Sequence, residues 1–482
     1  MPGGSLTQPL AARQRARARI VLNSPREGSA LGRLADFLAG VAGLDGSLWR
    51  PLLRGAVAVF GVTALAQLLA LVLQVLLARL LGPVEFGIYG FVIAGLGLCL
   101  ILVKLGLDTT LIRFVAQFAA DEDSGRMRGL VRVARTTGLA LGVIVGSVVV
   151  AWVVQAGDAR LPEVRLAMVV GAVVLPLAAF SELTAAALRG LRRVPTALAG
   201  DGLARPLVAG AVIVVLAAVR PGWLTSASAL VAYLLGTVVS LWVTSILLGR
   251  ILPPGPAVAT ATDVRRYLRT AVSLMLASGF LVAMYSLDTV MLGLLADTTA
   301  AGFYSVASRV AIVVLFVMNA AQMVSAPMLA ASLVSGAPGQ LRGVVRALNG
   351  LSLVAAVPAV LILLVAAEPV MEIFGPEFRG AAPALRLLAL SQLLNVLTGP
   401  TGMVLSMTGQ ESILVRLLFG GLLINVVLNL AWIPEYGILG AAGSALIAQC
   451  AWNLAAVVVV RARLSLDITP LDLLRRHTVR VS

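Results

Sequence analysis

Long stretches without a charged side chain dominate this chain of 482 residues. Ten such stretches hold at least 18 residues each, from residues 55–78 near the start to residues 436–460 near the end. An α-helix needs about 20 apolar residues to cross a bilayer core about 30 Å thick. Each stretch therefore predicts one helix that spans a membrane.

Two further apolar stretches are interrupted by charge and still predict spans. Residues 166–188 contain Glu182, and the stretch that ends at Val219 contains Asp201 and Arg205. Ionisable residues inside a span almost always face a bundle interior or a wet cavity instead of lipid. The hydrophobic pattern thus predicts an all-α, polytopic membrane protein with twelve transmembrane helices.

Composition supports residence in a membrane. Hydrophobic residues make up 60% of the chain, charged residues make up 12%, and the mean hydropathy is +1.00, which leaves too little polar surface for a soluble body. Cys99 and Cys450 fall inside predicted spans, which favours small buried side chains over a disulfide, a zinc site or a catalytic thiol. His477 lies in a basic tail and is expected to be solvated. We predict no metal site and no cofactor.

The net charge of +15 follows a topological pattern. Of 37 arginine and lysine residues, 28 lie in the N-terminal arm, the C-terminal tail and every second loop, whereas five lie in the alternate loops. Positive charge in alternate loops marks the cytoplasmic side of a membrane protein. We therefore expect both termini to be cytoplasmic, and we expect no nucleic acid partner.

Residues 1–54 form a basic arm ahead of the first span. The arm is too long for a cleavable signal, and a full span follows it. Apolar residues between Leu31 and Leu44 recur at helical spacing, which predicts an amphipathic helix on the anionic inner leaflet; a disordered arm is the alternative. Arginine outnumbers lysine 36 to one. We interpret this ratio as the codon bias of a GC-rich genome, so we expect a bacterial cytoplasmic membrane.

Short motifs recur at a nearly constant offset. Gly87-Ile88-Tyr89 opens the second span, and Gly302-Phe303-Tyr304 opens the eighth span 215 residues later. The segment ALRG that ends at Gly190 follows the fourth span, and SMTG ending at Gly409 follows the tenth span 219 residues later. Repeats that each contain an even number of spans have the same orientation in the membrane. An axis along the membrane normal would therefore relate two lobes of six helices.

These boundaries define the expected domains. The prolines at 253, 254 and 256 indicate a cytoplasmic linker between the lobes. The predicted parts are the arm at 1–54, the first lobe at 55–249, the linker at 250–265, the second lobe at 266–463 and a cytoplasmic tail at 464–482.

Seven short segments stand out along the two lobes. The first lobe and the start of the second contain LARLLGPVEFGIY, GLDTTLIRF, LDTVMLG and GFYSVASR, and further along the chain contains FGPEF, APALRLLAL and YGILGAA. Taken in order, these segments resemble the polysaccharide transporters of the MOP exporter superfamily and, within it, the Wzx-type flippases of lipid-linked oligosaccharides. The resemblance covers residues from about Gly55 to Arg463.

The resemblance implies a V-shaped pair of six-helix bundles around a central cavity. Its implied cargo is a sugar chain on a polyprenyl diphosphate, moved to the outer leaflet of a membrane. A polysaccharide polymerase and glycosyltransferases would be neighbours in the same process. Membrane lipids are the other expected partner.

Other functions stay open as alternatives. A cation-coupled drug or metabolite antiporter of the same superfamily would share the fold, and the flippase of the peptidoglycan lipid precursor is a further relative. A membrane glycosyltransferase or polymerase is the more remote alternative. The sequence has no nucleotide-binding or hydrolase motif, and its predicted loops are too short for a catalytic domain, so we predict that the protein is not an enzyme.

Arginines within spans are the first candidates for substrate binding. An arginine at mid-bilayer costs about 2.5–3.5 kcal/mol on insertion scales, so Arg205 and Arg309 should face a wet or paired interior. Arg205 has a local alternative, because Asp201 lies one turn earlier on the same face. Arg309 either pairs with Asp288 of the seventh span or meets the anionic head group. In the second case Asp288 is a candidate for coupling to a cation or proton.

Three more charged residues lie within or at the ends of spans. Arg386 is a further candidate for substrate binding, although it begins the tenth span and can extend to the interface; Lys104 can do the same at the end of the second. Glu182 lies among small residues in the fourth span, where helix packing and proton relay are equally good interpretations. Glu182 is therefore the second candidate for ion coupling.

Overall fold

The computed structural model describes residues 46–155, 162–258, 260–315 and 338–464. The predicted amphipathic helix of the N-terminal arm, His477 and nearly all of the C-terminal tail lie outside these residues. The chain divides into two compact units, Met1–Gly55 and Ala56–Ser482. Of the first unit only helical residues 46–55 are described, and both lobes belong to the second unit.

The described residues are helical throughout, with short connecting turns and no β-strand, which confirms the all-α prediction. Within those ranges fourteen α-helices follow one another, with a π-helical segment at Ala199–Ala204 and 3₁₀ turns at Pro221–Trp223 and Pro376–Ala381. The helices are α1 (Gly46–Lys104), α2 (Leu107–Ala120), α3 (Ser124–Gln155), α4 (Pro162–Gly190), α5 (Val194–Leu198), α6 (Arg205–Val219), α7 (Ser226–Ile251), α8 (Ala261–Leu295), α9 (Thr298–Leu315), α10 (Pro338–Val365), α11 (Ala367–Glu372), α12 (Ala382–Thr398), α13 (Thr401–Met407) and α14 (Glu411–Leu464).

Nine helical segments of the described chain are long and apolar enough to cross a membrane. Two of them, in α1 and α14, contain a kink at Gly82 and Gly437, where positive φ angles of 71° and 53° interrupt the helix. Their 46 and 53 apolar-rich residues far exceed one bilayer crossing. Counting each of these two segments as a pair gives eleven crossings. Helix α10 is the candidate for the twelfth, and the count of twelve stays a prediction.

The helices pack as two groups. Helix α4 contacts α2, α3 and α7, and α6 packs on α7, whereas α14 contacts α8 and α12, and α12 contacts α10. The first group holds the first lobe and the second group holds the second lobe. Because successive spans reverse direction, one end of the bundle carries the linker at residues 252–258, and the opposite end carries the kinks at Gly82 and Gly437. We call these the linker end and the hairpin end.

The two copies of the repeated motif meet at the hairpin end. A Cβ atom added to Gly302 would lie 2.7 Å from the Cα of Gly87, and one added to Gly87 would lie 2.0 Å from the carbonyl oxygen of Thr298. Only residues without a side chain allow α1 and α9 to approach this closely. The repeated glycine therefore places the two lobes in backbone contact, and we call this crossing the glycine seam.

Aromatic rings extend the contact around the glycine seam. Phe378 of the second lobe packs edge-on against Phe86 and Phe303, with ring centroids 5.9 Å and 5.4 Å apart. Arg79 of the first lobe donates a hydrogen bond of 2.7 Å from Nε to the carbonyl oxygen of Ile373. One buried apolar core runs through both lobes here. The hairpin end of the molecule is closed.

Helix α8 joins the lobes at the linker end. The ring of Tyr267 packs against Phe114, with centroids 5.5 Å apart, and Gly106 lies against the backbone of Ala271 and Met275. The linker docks on the start of α3, where the amide of Val258 donates to the carbonyl oxygen of Gly125 over 2.9 Å. The first helix of the second lobe thus leans on the first lobe along one side.

Candidate functional site

A π-helical turn positions the polar residues of the first lobe. Residues Ala199–Ala204 form this turn, and they carry Asp201 directly ahead of Arg205 at the start of α6. Asp201 Oδ1 accepts hydrogen bonds from the hydroxyls of Ser181 and Ser240, at 2.9 Å and 2.6 Å. Wide helical turns of this kind frequently occur at functional sites. The turn fixes a carboxylate inside the lobe between α4 and α7.

Arg205 is buried beside this carboxylate. Its Nη2 forms an ion pair with Asp201, its Nη1 donates a hydrogen bond of 2.9 Å to the hydroxyl of Tyr233, and its side chain is 11% exposed. The guanidinium also lies over the Tyr233 ring, 5.2 Å from the centroid. Its Nε is buried without a hydrogen-bond partner. The local pair with Asp201 is therefore present, and the Nε donor stays unused.

Tyr89 connects Arg205 with the second lobe. This buried residue of the repeated motif interacts electrostatically with Arg205 and Tyr233 of its own lobe and with Arg309 of α9. The Arg309 side chain is exposed in the protein structure, and no hydrogen bond or ion pair joins it to another described residue. The charges of two guanidinium groups, one from each lobe, thus act on the same tyrosine. We call Arg205, Tyr89 and Arg309 the inter-lobe site.

The second lobe holds a separate polar group around Asp288. The Asp288 carboxylate accepts hydrogen bonds from the Tyr304 hydroxyl at 2.6 Å and from the side-chain amides of Asn425 and Asn429 at 2.9 Å and 2.7 Å. The residue is only 1% exposed, and no cation among the described residues pairs with it. We call these four residues the Asp288 cluster. Three neutral donors bond this carboxylate, and none of them supplies a positive charge to compensate it.

A small cavity of about 30 Å³ borders the Asp288 cluster, enough for a water-sized atom. Ser308, Ser391 and Gln392 contribute polar atoms to its wall. The side-chain oxygens of Gln392 and Asn429 are buried and accept no hydrogen bond. A buried carboxylate with spare carboxamide oxygens is the donor set that a hard cation prefers.

The structure shows no ion pair between Arg309 and Asp288, which was one of the two alternatives for Arg309. The sequence places both residues at similar depth, but the Asp288 carboxylate bonds to Tyr304 and to α14, whereas Arg309 interacts electrostatically with Tyr89. About one and a half turns of helix separate Tyr304 from Arg309, so they occupy different faces of α9. The two charges therefore belong to different sites.

Glu182 interacts electrostatically with Arg205 and Tyr233 of the first lobe, whereas Arg386 lies away from the inter-lobe site. Glu182 forms an ion pair of 2.9 Å with Lys104, which also pairs with Asp108 at 3.1 Å, so Lys104 does not extend freely to the interface. Arg386 lies in the second lobe at the hairpin end, where it donates to the carbonyl oxygen of Leu364 at 3.1 Å and pairs with Glu368 at 3.5 Å. The structure does not bring Arg386 together with Arg205 and Arg309.

Several residues of both polar groups were not predicted. Tyr233 has no distinctive sequence context, but Tyr89 and Tyr304 end the two copies of the repeated motif. The repeat thus supplies the glycine seam and one tyrosine to the polar group of each lobe. Asn425 and Asn429 are also visible in sequence, because two amides four residues apart share one face of an otherwise apolar span.

The fold of the chain is similar to that of several solved membrane proteins. An inward-facing multidrug resistance MATE family transporter of the MOP superfamily matches with a TM-score of 0.71 and 15% identity over 85% of this chain and 98% of that one. Lipid II flippase MurJ, in an inward closed conformation, matches with a TM-score of 0.67 and 13% identity. This match covers 84% of this chain and 87% of that one. An outward-facing MATE family transporter matches with a TM-score of 0.60 and 16% identity. This match covers 86% of this chain and 95% of that one.

Sequence comparison gives the family. No curated protein matches the chain. The profile of the family described as polysaccharide biosynthesis protein matches residues 52–333, which is more than half of the chain. With the MOP superfamily fold and this match, the chain belongs to the polysaccharide biosynthesis protein family.

Proposed function

We propose that this protein is a flippase that moves a polyprenyl-diphosphate-linked oligosaccharide across the bacterial cytoplasmic membrane for surface polysaccharide biosynthesis. The inter-lobe site carries the proposal, because Arg205 and Arg309 belong to opposite lobes and both interact electrostatically with Tyr89. Guanidinium groups match phosphate oxygens with paired donors and stay charged at physiological pH. The family match and the MurJ-like fold support a lipid-linked glycan as cargo.

The two arginines have different tasks in this proposal. Arg205 already donates to Asp201 and Tyr233, so it serves as a fixed charge, and its buried Nε is still free to donate. Arg309 has its whole donor fork available among the described residues. Arg309 therefore makes the main contact to the diphosphate. Arg205 adds a positive charge from the opposite lobe, which strengthens binding of the diphosphate. Arg386, tied to Glu368 at the hairpin end, plays no part in this contact.

Transport follows from rocking of the two lobes, with no nucleotide hydrolysis by this chain. Closure at the glycine seam blocks the hairpin end and leaves the linker end as the side of entry. The distribution of arginines favours a cytoplasmic linker end and cytoplasmic termini. A polysaccharide polymerase and glycosyltransferases would act on the same cargo.

The Asp288 cluster is the proposed coupling site. A carboxylate that is ionised and uncompensated in a buried group gains stability when it binds a cation or a proton. Tyr304 bonds to Asp288 and lies in α9, the helix that also carries Gly302 of the glycine seam. Binding of a cation or a proton at Asp288 can therefore affect the seam through α9 alone. Glu182, the other candidate, already pairs with Lys104 and is the weaker choice.

A cation-coupled drug antiporter is the second candidate function. The multidrug resistance transporter with a TM-score of 0.71 favours it, and the Asp288 cluster suits either function. The two functions differ at the inter-lobe site, since cationic drugs would be repelled by two arginines. The choice therefore depends on whether Arg309 binds an anion.

Purified protein in liposomes tests the proposal. Parent protein should translocate a fluorescent lipid-linked sugar without ATP, and Arg309→Ala should reduce the rate by about ten- to a hundredfold, since a hydrogen bond to a charged group contributes about 1.5–3 kcal/mol. Arg309→Lys should retain an intermediate rate, because the charge survives and the fork does not. Arg416→Ala, which removes an exposed arginine that bonds its own helix, is the matched control. Efflux of a cationic dye without lipid translocation would favour the antiporter instead.

A further inference from the structure

The first lobe contains a second basic cavity, distinct from the inter-lobe site. It lies at the linker end, has a volume of about 370 Å³, and is bounded by α3, by Phe180 of α4 and by the linker around Gly255. Arg128, Arg132 and Arg135 line it together with Thr136. None of these residues has a role in the proposed transport mechanism.

The three arginines lie on one face of α3. Their spacing of four and three residues brings successive side chains onto the same side of a helix. Arg135 donates a hydrogen bond of 3.0 Å to the Ser245 hydroxyl and stacks over the Phe180 ring, 4.1 Å from its centroid. Arg128 donates to the carbonyl oxygen of Gly255 over 2.6 Å. Packing thus holds two of the guanidinium groups in fixed positions.

These charges lack counterions among the described residues. No carboxylate of that part of the chain lies within ion-pair distance of Arg128, Arg132 or Arg135, whereas Arg205 and Lys104 both have an acidic partner. The Nε atoms of Arg128 and Arg135 are also buried without a hydrogen-bond partner. Three positive charges with spare hydrogen-bond donors therefore surround one cavity. Such a cavity favours the binding of an anion.

The surroundings indicate where the anion comes from. Beyond Arg132 and Thr136, the same side of α3 continues into the span with exposed apolar residues, including Leu139 and Val143. A charged cavity that opens onto a lipid-facing helix surface suits a molecule with an anionic head and hydrocarbon chains. Basic pockets between transmembrane helices on the cytoplasmic side bind anionic head groups in this way.

We propose that this cavity binds the phosphate of an anionic phospholipid headgroup. The head group would contact Arg132 and Arg135, and its acyl chains would follow Leu139 and Val143 along α3. Arg128 closes the cavity on the side of the linker through its contact with Gly255. The bound lipid would therefore touch the segment that connects the two lobes.

Native mass spectrometry of the purified full-length protein tests this site. The parent should retain phosphatidylglycerol in preference to phosphatidylcholine. The double variant Arg132→Gln/Arg135→Gln should bind phosphatidylglycerol roughly tenfold or more weakly, because each basic residue near an anionic surface contributes about 1 kcal/mol. The matched control is Arg192→Gln/Arg193→Gln, which removes the same charge from an exposed turn at the linker end and should bind like the parent.

Two further measurements separate the alternatives. Arg132→Gln alone changes an exposed side chain, so it keeps the fold and should still weaken phosphatidylglycerol binding several-fold. Inorganic phosphate should compete poorly, because it cannot use the apolar face of α3. Strong binding of phosphate without a preference for phosphatidylglycerol would overturn the lipid proposal. Equal loss of phosphatidylglycerol in the control variant would overturn the site.

Discussion

Substitution of Gly87 by alanine should open the hairpin end. The added Cβ would lie 2.0 Å from the carbonyl oxygen of Thr298 and 2.7 Å from its carbonyl carbon. Both atoms belong to the backbone of the other lobe, so no rotamer change relieves the collision. The closed contact must give way for the substitution to be accommodated.

The distances set the size of the effect. Close carbon–oxygen contacts between packed backbones are about 3.3–3.6 Å, so the seam has to widen by more than about 1 Å. Overpacking of this kind costs about 1–3 kcal/mol, which lowers the ratio of closed to open molecules by about five- to 150-fold. Gly302→Ala should have a smaller effect, because its Cβ would approach no closer than 2.7 Å to Gly87.

Spin-label distances across the hairpin end measure this shift. Labels at Gly222 in the first lobe and Glu435 in the second lie at exposed positions. The distance distribution of Gly87→Ala should move to longer values, and the rate of cargo translocation should fall with it. Gly420→Ala is the matched control, because a Cβ at that helical position would meet no atom within 4 Å. If Gly87→Ala and Gly420→Ala gave the same distances, the seam would not be the contact that closes the molecule.

Two further predictions concern topology and coupling. In a protein without native cysteines, a cysteine at Gly222 should react with an impermeant thiol reagent from outside the cell, and one at Ser412 should not; the reverse pattern would refute cytoplasmic termini. Asp288→Asn should abolish the dependence of transport on an ion gradient while the protein remains folded, because Asn425 and Asn429 can rotate their amides to bond the new side chain. A gradient dependence equal to that of the parent would exclude Asp288 as the coupling group.

The sequence was sufficient for the architecture because lipid imposes a strict rule on it. A chain in hydrocarbon has to satisfy its own backbone polar groups, so apolar length predicts helices directly. The repeated motif likewise predicted two lobes, and the structure adds that Gly87 and Gly302 touch. That contact is a property of the axis between the repeats, which a linear pattern does not reveal.

Side-chain partners were harder to predict than helices. Depth along a span placed Asp288 and Arg309 at the same level, but it gave no information about which helix face each residue occupies. The pair of Asp201 with Arg205 was predictable because it is local, although the pair sits across a π-helical turn. Lys104 and Glu182 are 78 residues apart, and only the packing of α1 against α4 brings them together.

The number of residues in the π-helical turn at Ala199–Ala204 determines the direction in which Arg205 points. A π turn holds more residues than an α turn, so one residue fewer would rotate everything after it by about 100°. Arg205 would then leave Tyr89 and face another direction with its identity unchanged. A deletion of one residue in this turn can therefore change which side chains face the inter-lobe site as thoroughly as a substitution, although every remaining residue keeps its identity.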